Sequence, residues 1–283
     1  MYIFLNGQYI RREEATISPF DHGYLYGLGV FETMRTYEGN AFLLNQHVER
    51  LNSGMKEMNI ALEFSTSQVE KILKELSRLN DLQNSYIRFN VSAGIGEIGL
   101  QTNPYSDPTV IVFQKPLVGI EPLREKEAVI LKTVRNTPET TIRIKSHHFF
   151  NNVAAKLELG ADPNKEGLML TKDGFIAEGV TSNIFWLREG VLCTPSLETG
   201  ILNGITRQFI IRIAQELGLD VKIGLFKVED LVQADELFFT NSVQEIIPVN
   251  KLDKHFYPGK NGRLVQQLYS IYHQAIKKDG PKS

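Results

Sequence analysis

Apolar runs in the first 115 residues predict several strands. Asn6-Gly7 interrupts an apolar N-terminus, which indicates a pair of short strands. Glu38-Gly39-Asn40 is typical of a hairpin turn, and it separates predicted strands at residues 30–37 and 41–44. Two later apolar runs predict further strands, at residues 86–93 and 110–114.

Apolar residues with helical spacing lie between these predicted strands. The apolar positions that repeat every three or four residues are Leu44, Val48, Leu51, Met55 and Met58. Ser65 followed by Gln68 is typical of a capping box, and it predicts a second helix that ends near Leu79. The first part of the chain therefore combines helices with strands.

Prolines and a glycine interrupt the pattern at residues 116–125, which we interpret as a linker. It separates an N-terminal α/β domain, residues 1–115, from a larger C-terminal domain, residues 126–283. Asp173-Gly174 and Glu189-Gly190 are typical turns of the second domain. Its predicted strands are residues 128–134, 167–171, 175–177 and 237–240, and its predicted helices are residues 205–217 and 264–276. The mixture predicts an α+β protein.

Composition restricts the class of function. The 283 residues are 42% hydrophobic and 23% charged, with a net charge of −2, which is ordinary for a globular protein and argues against nucleic-acid binding. Cys193 is the single cysteine, so no disulfide framework is expected. The apolar N-terminal run is too short for a signal peptide, and no window approaches a membrane span. We therefore expect a cytoplasmic protein with a small-molecule ligand.

Two other motifs are weaker than they look. Residues 94–99 match the dinucleotide fingerprint, but Pro104 and Pro108 oppose the helix that it requires. We interpret the segment as a glycine-rich loop. Asp21-His22 and His147-His148 lack the spacing of a helical zinc motif, so hydrogen-bonded histidines and no metal are expected.

Lys145 lies between two patterned segments. The alternating residues 141–144 predict a strand before it, and the amphipathic residues 149–157 predict a helix after it. A lysine at such a junction can face a cavity, and apolar neighbours suit an amine that must lose its proton. A buried stem with a solvated amine is the commoner arrangement, so other residues must add weight.

Two segments further along, and one arginine from the first half of the chain, are candidates for binding a phosphate. Asn203-Gly204-Ile205-Thr206 places a glycine and a hydroxyl at the first turn of a predicted helix, where backbone N–H groups bind anions. Thr240-Asn241-Ser242 supplies hydroxyl and amide groups, and Arg50 supplies positive charge. Taken singly, the helix start is more typical of an ordinary N-cap, and Arg50 of a solvated surface arginine.

Glu178 follows a short predicted strand and precedes a polar turn at residues 179–183. A carboxylate at a strand end can hold a cationic ring nitrogen, although alone it is more typical of a solvated turn. An amine for a Schiff base, a carboxylate for a pyridinium nitrogen and an anion site for a phosphate are together what pyridoxal phosphate requires. The combination therefore predicts that cofactor.

At these residues the chain resembles the fold-type IV pyridoxal-phosphate enzymes, a family of branched-chain and D-amino-acid aminotransferases and aminodeoxychorismate lyases. The resemblance covers nearly the whole chain, although Leu28 stands where many members carry aspartate. The matching segments are residues 27–32, 47–51, the surroundings of Lys145, and residues 178–183, 200–207 and 245–249. The resemblance implies a two-domain α+β fold and a homodimer.

The resemblance also implies a role for each site residue. Lys145 is the expected Schiff-base lysine and catalytic residue, and Glu178 is expected to contact the pyridine nitrogen of pyridoxal 5'-phosphate. Leu202 is expected to pack on the ring. The expected phosphate ligands are Arg50, Ile205, Thr206 and Ser242.

Several segments distinguish the members of this family. Residues 98–100 lack the Arg-x-His carboxylate trap of D-amino-acid aminotransferases, and Phe31 stands where those enzymes tend to carry tyrosine. The chain also lacks the Gly-Thr-Ala turn usual in branched-chain aminotransferases. The segments that look most like the aminodeoxychorismate lyases of Gram-positive bacteria are residues 31–35, 135–138, 146–148 and 240–242.

This resemblance implies a lyase of folate biosynthesis that converts 4-amino-4-deoxychorismate to 4-aminobenzoate and pyruvate. Phe31, Thr33 and Arg35 are expected to contact the substrate, because alternate residues of a strand share one face. Strand packing and a surface charge are the alternative roles for the last two. The alternative functions are a branched-chain or D-amino-acid aminotransferase and a catalytically silent protein that binds pyridoxal phosphate.

Overall fold

The computed structural model describes residues 1–117 and 123–279, so residues 118–122 of the predicted linker lie outside the described residues. The described residues form two compact units. One comprises those of Met1–Val118, Ile144–His148 and Ile276–Ser283, and the other those of Gly119–Arg143 and Phe149–Ala275. The domain division drawn from the sequence stays a prediction; the segment around Lys145 packs within the first unit.

The first unit contains a six-stranded antiparallel sheet. Its strands are β1 (Tyr2–Leu5), β2 (Gln8–Arg11), β3 (Gly29–Tyr37), β4 (Asn40–Ala41), β5 (Ser85–Ser92) and β6 (Thr109–Pro116). They lie in the order β2-β1-β6-β5-β3-β4. The helices are α1 (His22–Tyr26), α2 (Leu44–Glu57) and α3 (Thr66–Asn80), and a 3-10 turn covers Arg12–Glu14. Apolar faces of α2 and α3 are buried with β5 residues in one core.

The second unit contains a nine-stranded mixed sheet. Its strands are β7 (Lys126–Ile130), β8 (Lys165–Leu170), β9 (Ile176–Gly179), β10 (Asn183–Arg188), β11 (Val191–Pro195), β12 (Val221–Gly224), β13 (Glu236–Asn241), β14 (Glu245–Leu252) and β15 (His255–Phe256). The order is β12-β11-β10-β13-β14-β7-β8-β9, and β15 pairs with β14. The parallel pairs are β11 with β12, β14 with β7, and β7 with β8.

The remaining helices are α4 (Phe150–Leu159), α5 (Ile205–Glu216), α6 (Val228–Val232) and α7 (Arg263–Asp279), with 3-10 turns at Leu197–Thr199 and Gly259–Asn261. The predicted capping box is confirmed, since the Ser65 side chain accepts from the Gln68 backbone and Gln68 reaches back to Ser65. No helix among the described residues has both the length and the apolar character that a bilayer crossing requires.

One predicted strand is shorter than expected and another is absent. β4 pairs with β3 as in the predicted hairpin, but it ends at Ala41, because Leu43 has a φ of 56° and α2 begins at Leu44. Residues 141–144 form no strand. The Arg143 side chain instead donates to the carbonyl oxygens of Gly200 and Asn136. Ile142 is 56% exposed, so the alternation there does not reflect a buried sheet face.

The prediction for residues 94–99 is confirmed. They follow β5, and the next element along the chain is the strand β6 rather than a helix. The segment therefore has no helix dipole to direct at a pyrophosphate.

Candidate active site

The segment around Lys145 is held by backbone hydrogen bonds to the start of β3. The Phe31 N–H donates to the Lys145 carbonyl at 2.9 Å, and the His147 N–H donates to the Gly29 carbonyl at 2.9 Å. The Lys145 Nζ lies 4.4 Å from the centroid of the Phe31 ring. Lys145 is therefore positioned by pairing with β3, without a strand of its own.

Arg88 also contacts the Phe31 ring, and sequence patterns did not indicate it. Its guanidinium carbon lies 3.7 Å from the ring centroid, within the range of cation–π attraction, and its Nε donates to the Asn90 Oδ1 at 3.0 Å. Arg88 lies opposite Thr33 in the β3–β5 register. The sequence carried no signal for this position, because strand register is set by the fold.

The predicted substrate residues lie on one strand. Phe31 is buried, whereas Thr33 and Arg35 are partly buried on the same face of β3. The Arg35 guanidinium also contacts the Tyr37 ring, with its carbon 4.6 Å from the centroid. Their contact with substrate stays a prediction.

The predicted hydrogen-bonded histidine is confirmed at His22. Its ring nitrogens bond the Tyr105 hydroxyl at 3.0 Å and the Glu97 carbonyl oxygen at 2.9 Å. His147 also makes a hydrogen bond, with the backbone of Val30, whereas its buried Nε2 has no hydrogen-bond partner among the described residues. Burial, together with the Arg88 guanidinium, lowers the pKa of His147 to about 4, which keeps the ring neutral at pH 7.

Arg50 contacts a buried carboxylate that sequence patterns did not reveal. The Glu32 Oε1 accepts from the Arg50 Nε at 2.6 Å, and its Oε2 accepts from the Arg50 Nη2 at 2.7 Å. His47 Nδ1 lies 2.7 Å from the same Oε2. The available signal was the i, i+3 spacing of His47 and Arg50, which places both on one face of α2.

In the second unit, Glu178 is buried at the end of β9 rather than solvated in a turn. Its Oε1 accepts from the Arg135 Nε at 2.7 Å, and its Oε2 accepts from the Leu202 N–H at 3.0 Å and the Asn183 Nδ2 at 3.1 Å. Burial raises the pKa of Glu178, while Arg135 and Arg143 oppose that rise. Burial therefore favours the protonated carboxyl, and the two guanidinium groups favour the ionised one.

Arg135 is a further residue whose role the sequence did not reveal. Its Nη1 donates to the Asn151 Oδ1 at 2.7 Å and to the Asn152 Oδ1 at 3.3 Å. Both amides lie in the first turn of α4. Arg135 therefore fixes Glu178 to a helix as well as supplying it with positive charge.

The two predicted phosphate-binding turns lie together in this unit. The Thr206 Oγ1 and the Ser242 Oγ are 3.5 Å apart. Gly204 is the N-cap of α5, and it makes no side-chain cap, so Thr206 does not act as an ordinary N-cap. A Cβ at Gly204 would come within 2.1 Å of the Asn183 Oδ1, so only glycine fits this close approach. A helix start without a side-chain cap, beside two hydroxyls, has the groups that a phosphate requires.

Comparisons with known proteins identify related chains. The family model for amino-transferase class IV matches residues 29–252. Aminodeoxychorismate lyase of Bacillus subtilis (strain 168) is 45% identical over 277 residues, covering 97% of this chain and 94% of the relative. A putative branched-chain-amino-acid aminotransferase of Methanocaldococcus jannaschii is 35% identical over 288 residues, covering 100% and 99%.

Solved structures share the fold. The 4-amino-4-deoxychorismate lyase from Pseudomonas aeruginosa has a TM-score of 0.84 and 27% identity, covering 96% of this chain and 98% of that one. The predicted two-domain α+β fold class is thereby confirmed. The family uses pyridoxal phosphate, so the predicted cofactor is confirmed as well. The chain belongs to the class IV aminotransferase family, as its resemblance to the fold-type IV enzymes predicted.

Proposed function

We propose that this protein is a pyridoxal-phosphate-dependent aminodeoxychorismate lyase, which converts 4-amino-4-deoxychorismate to 4-aminobenzoate and pyruvate. The observation that carries the proposal is the 45% identity to the Bacillus subtilis lyase across 97% of the chain. The aminotransferase from Methanocaldococcus jannaschii is more distant, at 35%. The activity belongs to folate biosynthesis.

The residues present fit the cofactor. The uncapped start of α5 and the paired hydroxyls of Thr206 and Ser242 suit its phosphate. The buried carboxylate of Glu178 suits its ring nitrogen, and Lys145 is the amine that bonds it. When bound, pyridoxal phosphate supplies an electron sink for the carbon that loses a proton.

Each predicted site residue has a role in this proposal. Glu178 holds the proton of the pyridine nitrogen, and Leu202 packs on the ring. The phosphate ligands are Arg50, Ile205, Thr206 and Ser242. Once substrate has taken its place, the Lys145 amine removes the proton from the aminated ring carbon. Loss of that proton and cleavage of the neighbouring ring carbon–oxygen bond make the substrate ring aromatic. The released enolpyruvate takes up a proton and becomes pyruvate.

Substrate recognition is assigned to the face of β3 beside Lys145. Phe31 supplies an apolar surface, and the Thr33 hydroxyl and the Arg35 guanidinium are assigned to the substrate carboxylates. Alternate positions of β3 present all three residues on one face, which supports the assignment.

The experiment that tests the lyase uses enzymatically generated aminodeoxychorismate. The purified protein should release 4-aminobenzoate and pyruvate in equal amounts. Leucine or D-alanine with 2-oxoglutarate provides the comparison for the aminotransferase, the second candidate, which the 35% identical relative favours. Glutamate formation without 4-aminobenzoate would reject the lyase.

Lys145→Ala tests the mechanism and the catalytically silent alternative together. Removing the amine should abolish 4-aminobenzoate formation and the visible absorbance of the lysine-bound cofactor, because no other group replaces that covalent bond. Lys71→Ala, on the exposed side of α3, is the matched control and should retain both. Turnover that survives in the Lys145 variant would contradict the proposed role.

We also propose a cytoplasmic homodimer. The single cysteine, Cys193, is buried and free, which suits a reducing compartment. Apolar residues exposed on α4 support self-association of the chain.

A further inference from the structure

Glu32 is a buried carboxylate in contact with the proposed phosphate ligand Arg50. It lies on β3 and is 1% exposed. Its two oxygens accept hydrogen bonds from the Nε and Nη2 of Arg50 at 2.6 and 2.7 Å. Such a two-bond fork fixes the plane of a guanidinium as well as its position. The orientation of the Arg50 Nη1 is therefore set by Glu32.

His47 completes the arrangement from the same face of α2. Its Nδ1 meets the Glu32 Oε2 at 2.7 Å, and its side chain is almost fully buried. Burial lowers the pKa of His47, so the ring is neutral at pH 7 and its Nδ1 is the donor to the carboxylate. The Glu32 carboxylate is thus held from two sides and has little freedom to follow movements of Arg50.

The stability of the fold alone does not account for the cluster of Glu32, Arg50 and His47. The neighbours of Glu32 on its face of β3 are Val30 and Met34, which belong to the apolar core of the first unit. A buried ion pair rarely stabilises a fold more than apolar residues of the same size, because both charges lose their hydration. Burial would raise the pKa of Glu32, yet Arg50 and His47 lower it to about 2, so the carboxyl stays ionised. The chain thus has an ionised carboxylate, Glu32, at a core position where an apolar side chain would also pack.

We propose that Glu32 is a positioning residue, which fixes the Arg50 guanidinium in the orientation that receives the cofactor phosphate. The inference rests on the proposed function, since it takes Arg50 as a phosphate ligand. Glu32 itself touches neither cofactor nor substrate in this proposal. Its effect should therefore be confined to ligands that carry the phosphate.

The test compares pyridoxal 5'-phosphate with pyridoxal, which lacks the phosphate. The full-length protein, freed of cofactor, is titrated with each compound and followed by absorbance. Glu32→Gln keeps the size of the side chain but loses the fork, so it should raise the Kd for pyridoxal 5'-phosphate about tenfold and leave the Kd for pyridoxal unchanged. In an Arg50→Lys background the same change should have little further effect, because the fork is already absent.

Glu236→Gln is the matched control. Glu236 is also buried, but its oxygens accept from the Leu264 and Val265 N–H groups at 2.9 Å. Both dissociation constants should stay at their wild-type values in this variant. Glu32→Asp, which keeps the charge on a shorter side chain, provides the same comparison if Glu32→Gln does not fold.

Two outcomes would overturn the inference alone. One is an unchanged Kd for pyridoxal 5'-phosphate in the Glu32 variants while Arg50→Lys raises it. The other is an equal rise for pyridoxal 5'-phosphate and pyridoxal, which would mark a general structural defect. A wild-type protein that binds no pyridoxal 5'-phosphate would instead overturn the proposed function, and this inference with it.

Discussion

Glu178 is the residue whose chemistry depends most on its surroundings. Burial raises the pKa of its carboxyl, and the guanidinium of Arg135, 2.7 Å away, opposes that rise. In the proposed function the ionised carboxylate holds the proton of the pyridine nitrogen. Arg135 therefore favours the ionised form of Glu178, although in this proposal it touches no ligand itself.

Arg135→Gln should move the acid limb of the pH profile to higher pH. Without the guanidinium the pKa of Glu178 rises further, so the carboxyl is protonated, and inactive in this role, at pH values where the wild type is still ionised. The measurement is kcat/KM for 4-aminobenzoate formation against pH. Arg135→Lys keeps the charge and should retain most of the wild-type profile. An acid limb unchanged in Arg135→Gln would contradict this role.

Single residues could be predicted where their type and local sequence were sufficient. Thr206 and Ser242 were predicted to serve one phosphate, and their hydroxyls do lie together. Glu32, Arg88 and Arg135 were missed as partners, because each meets another segment through tertiary packing. The pairing of Arg88 with Phe31, for example, depends on the register of β3 and β5.

Among the elements, helix α5 begins at a position that requires a glycine. Its N-cap is Gly204, and the Asn183 Oδ1 occupies the space where a side chain would begin. Asn183 also donates to Glu178 and to the Leu202 carbonyl. The start of α5 is therefore fixed to the carboxylate by one amide side chain.

Gly204→Ala should weaken cofactor binding more than it weakens the fold. The added Cβ would lie 2.1 Å from the Asn183 Oδ1, so the helix start or the amide must move. We expect a Kd for pyridoxal 5'-phosphate about tenfold higher, on the order of 1.4 kcal/mol. Gly218→Ala, at the other end of α5, is the control. Its φ of 76° predicts a loss of about 1 kcal/mol of stability with an unchanged Kd. Equal effects of both changes on the Kd would refute the role of the helix start.

Helices and turns could be predicted where their own residues form a recognisable local motif. The capping box of α3 and the turn at Glu189-Gly190 are both in the structure. Residues 141–144 alternate like a strand but form none, and the Arg143 side chain donates instead to the carbonyl oxygens of Gly200 and Asn136. Alternating apolar and polar residues indicate a sheet face only where another strand lies beside them. The sequence alone does not show which segments will lie side by side.

At the scale of the whole molecule, α4 carries an exposed apolar stripe. Phe150 is 80% exposed, Leu157 is 76% exposed and Val153 lies between them at 45%. The spacing of i, i+3 and i+7 places them on one face, while Asn152 and Ala155 are buried on the opposite face. Contiguous exposed apolar groups of this kind mark interaction surfaces, so we expect a second copy of the chain to cover this stripe.

Leu157→Arg should shift the protein from dimer to monomer, because a charge placed within the stripe would lose its hydration in the interface. Analytical ultracentrifugation across a range of protein concentrations gives the mass of each species. Phe256→Arg is the control, since Phe256 is similarly exposed, at 79%, but lies on β15. It should sediment as the wild type does. A wild-type protein that is monomeric throughout that range, or a Leu157→Arg variant as dimeric as the wild type, would exclude α4 as the interface.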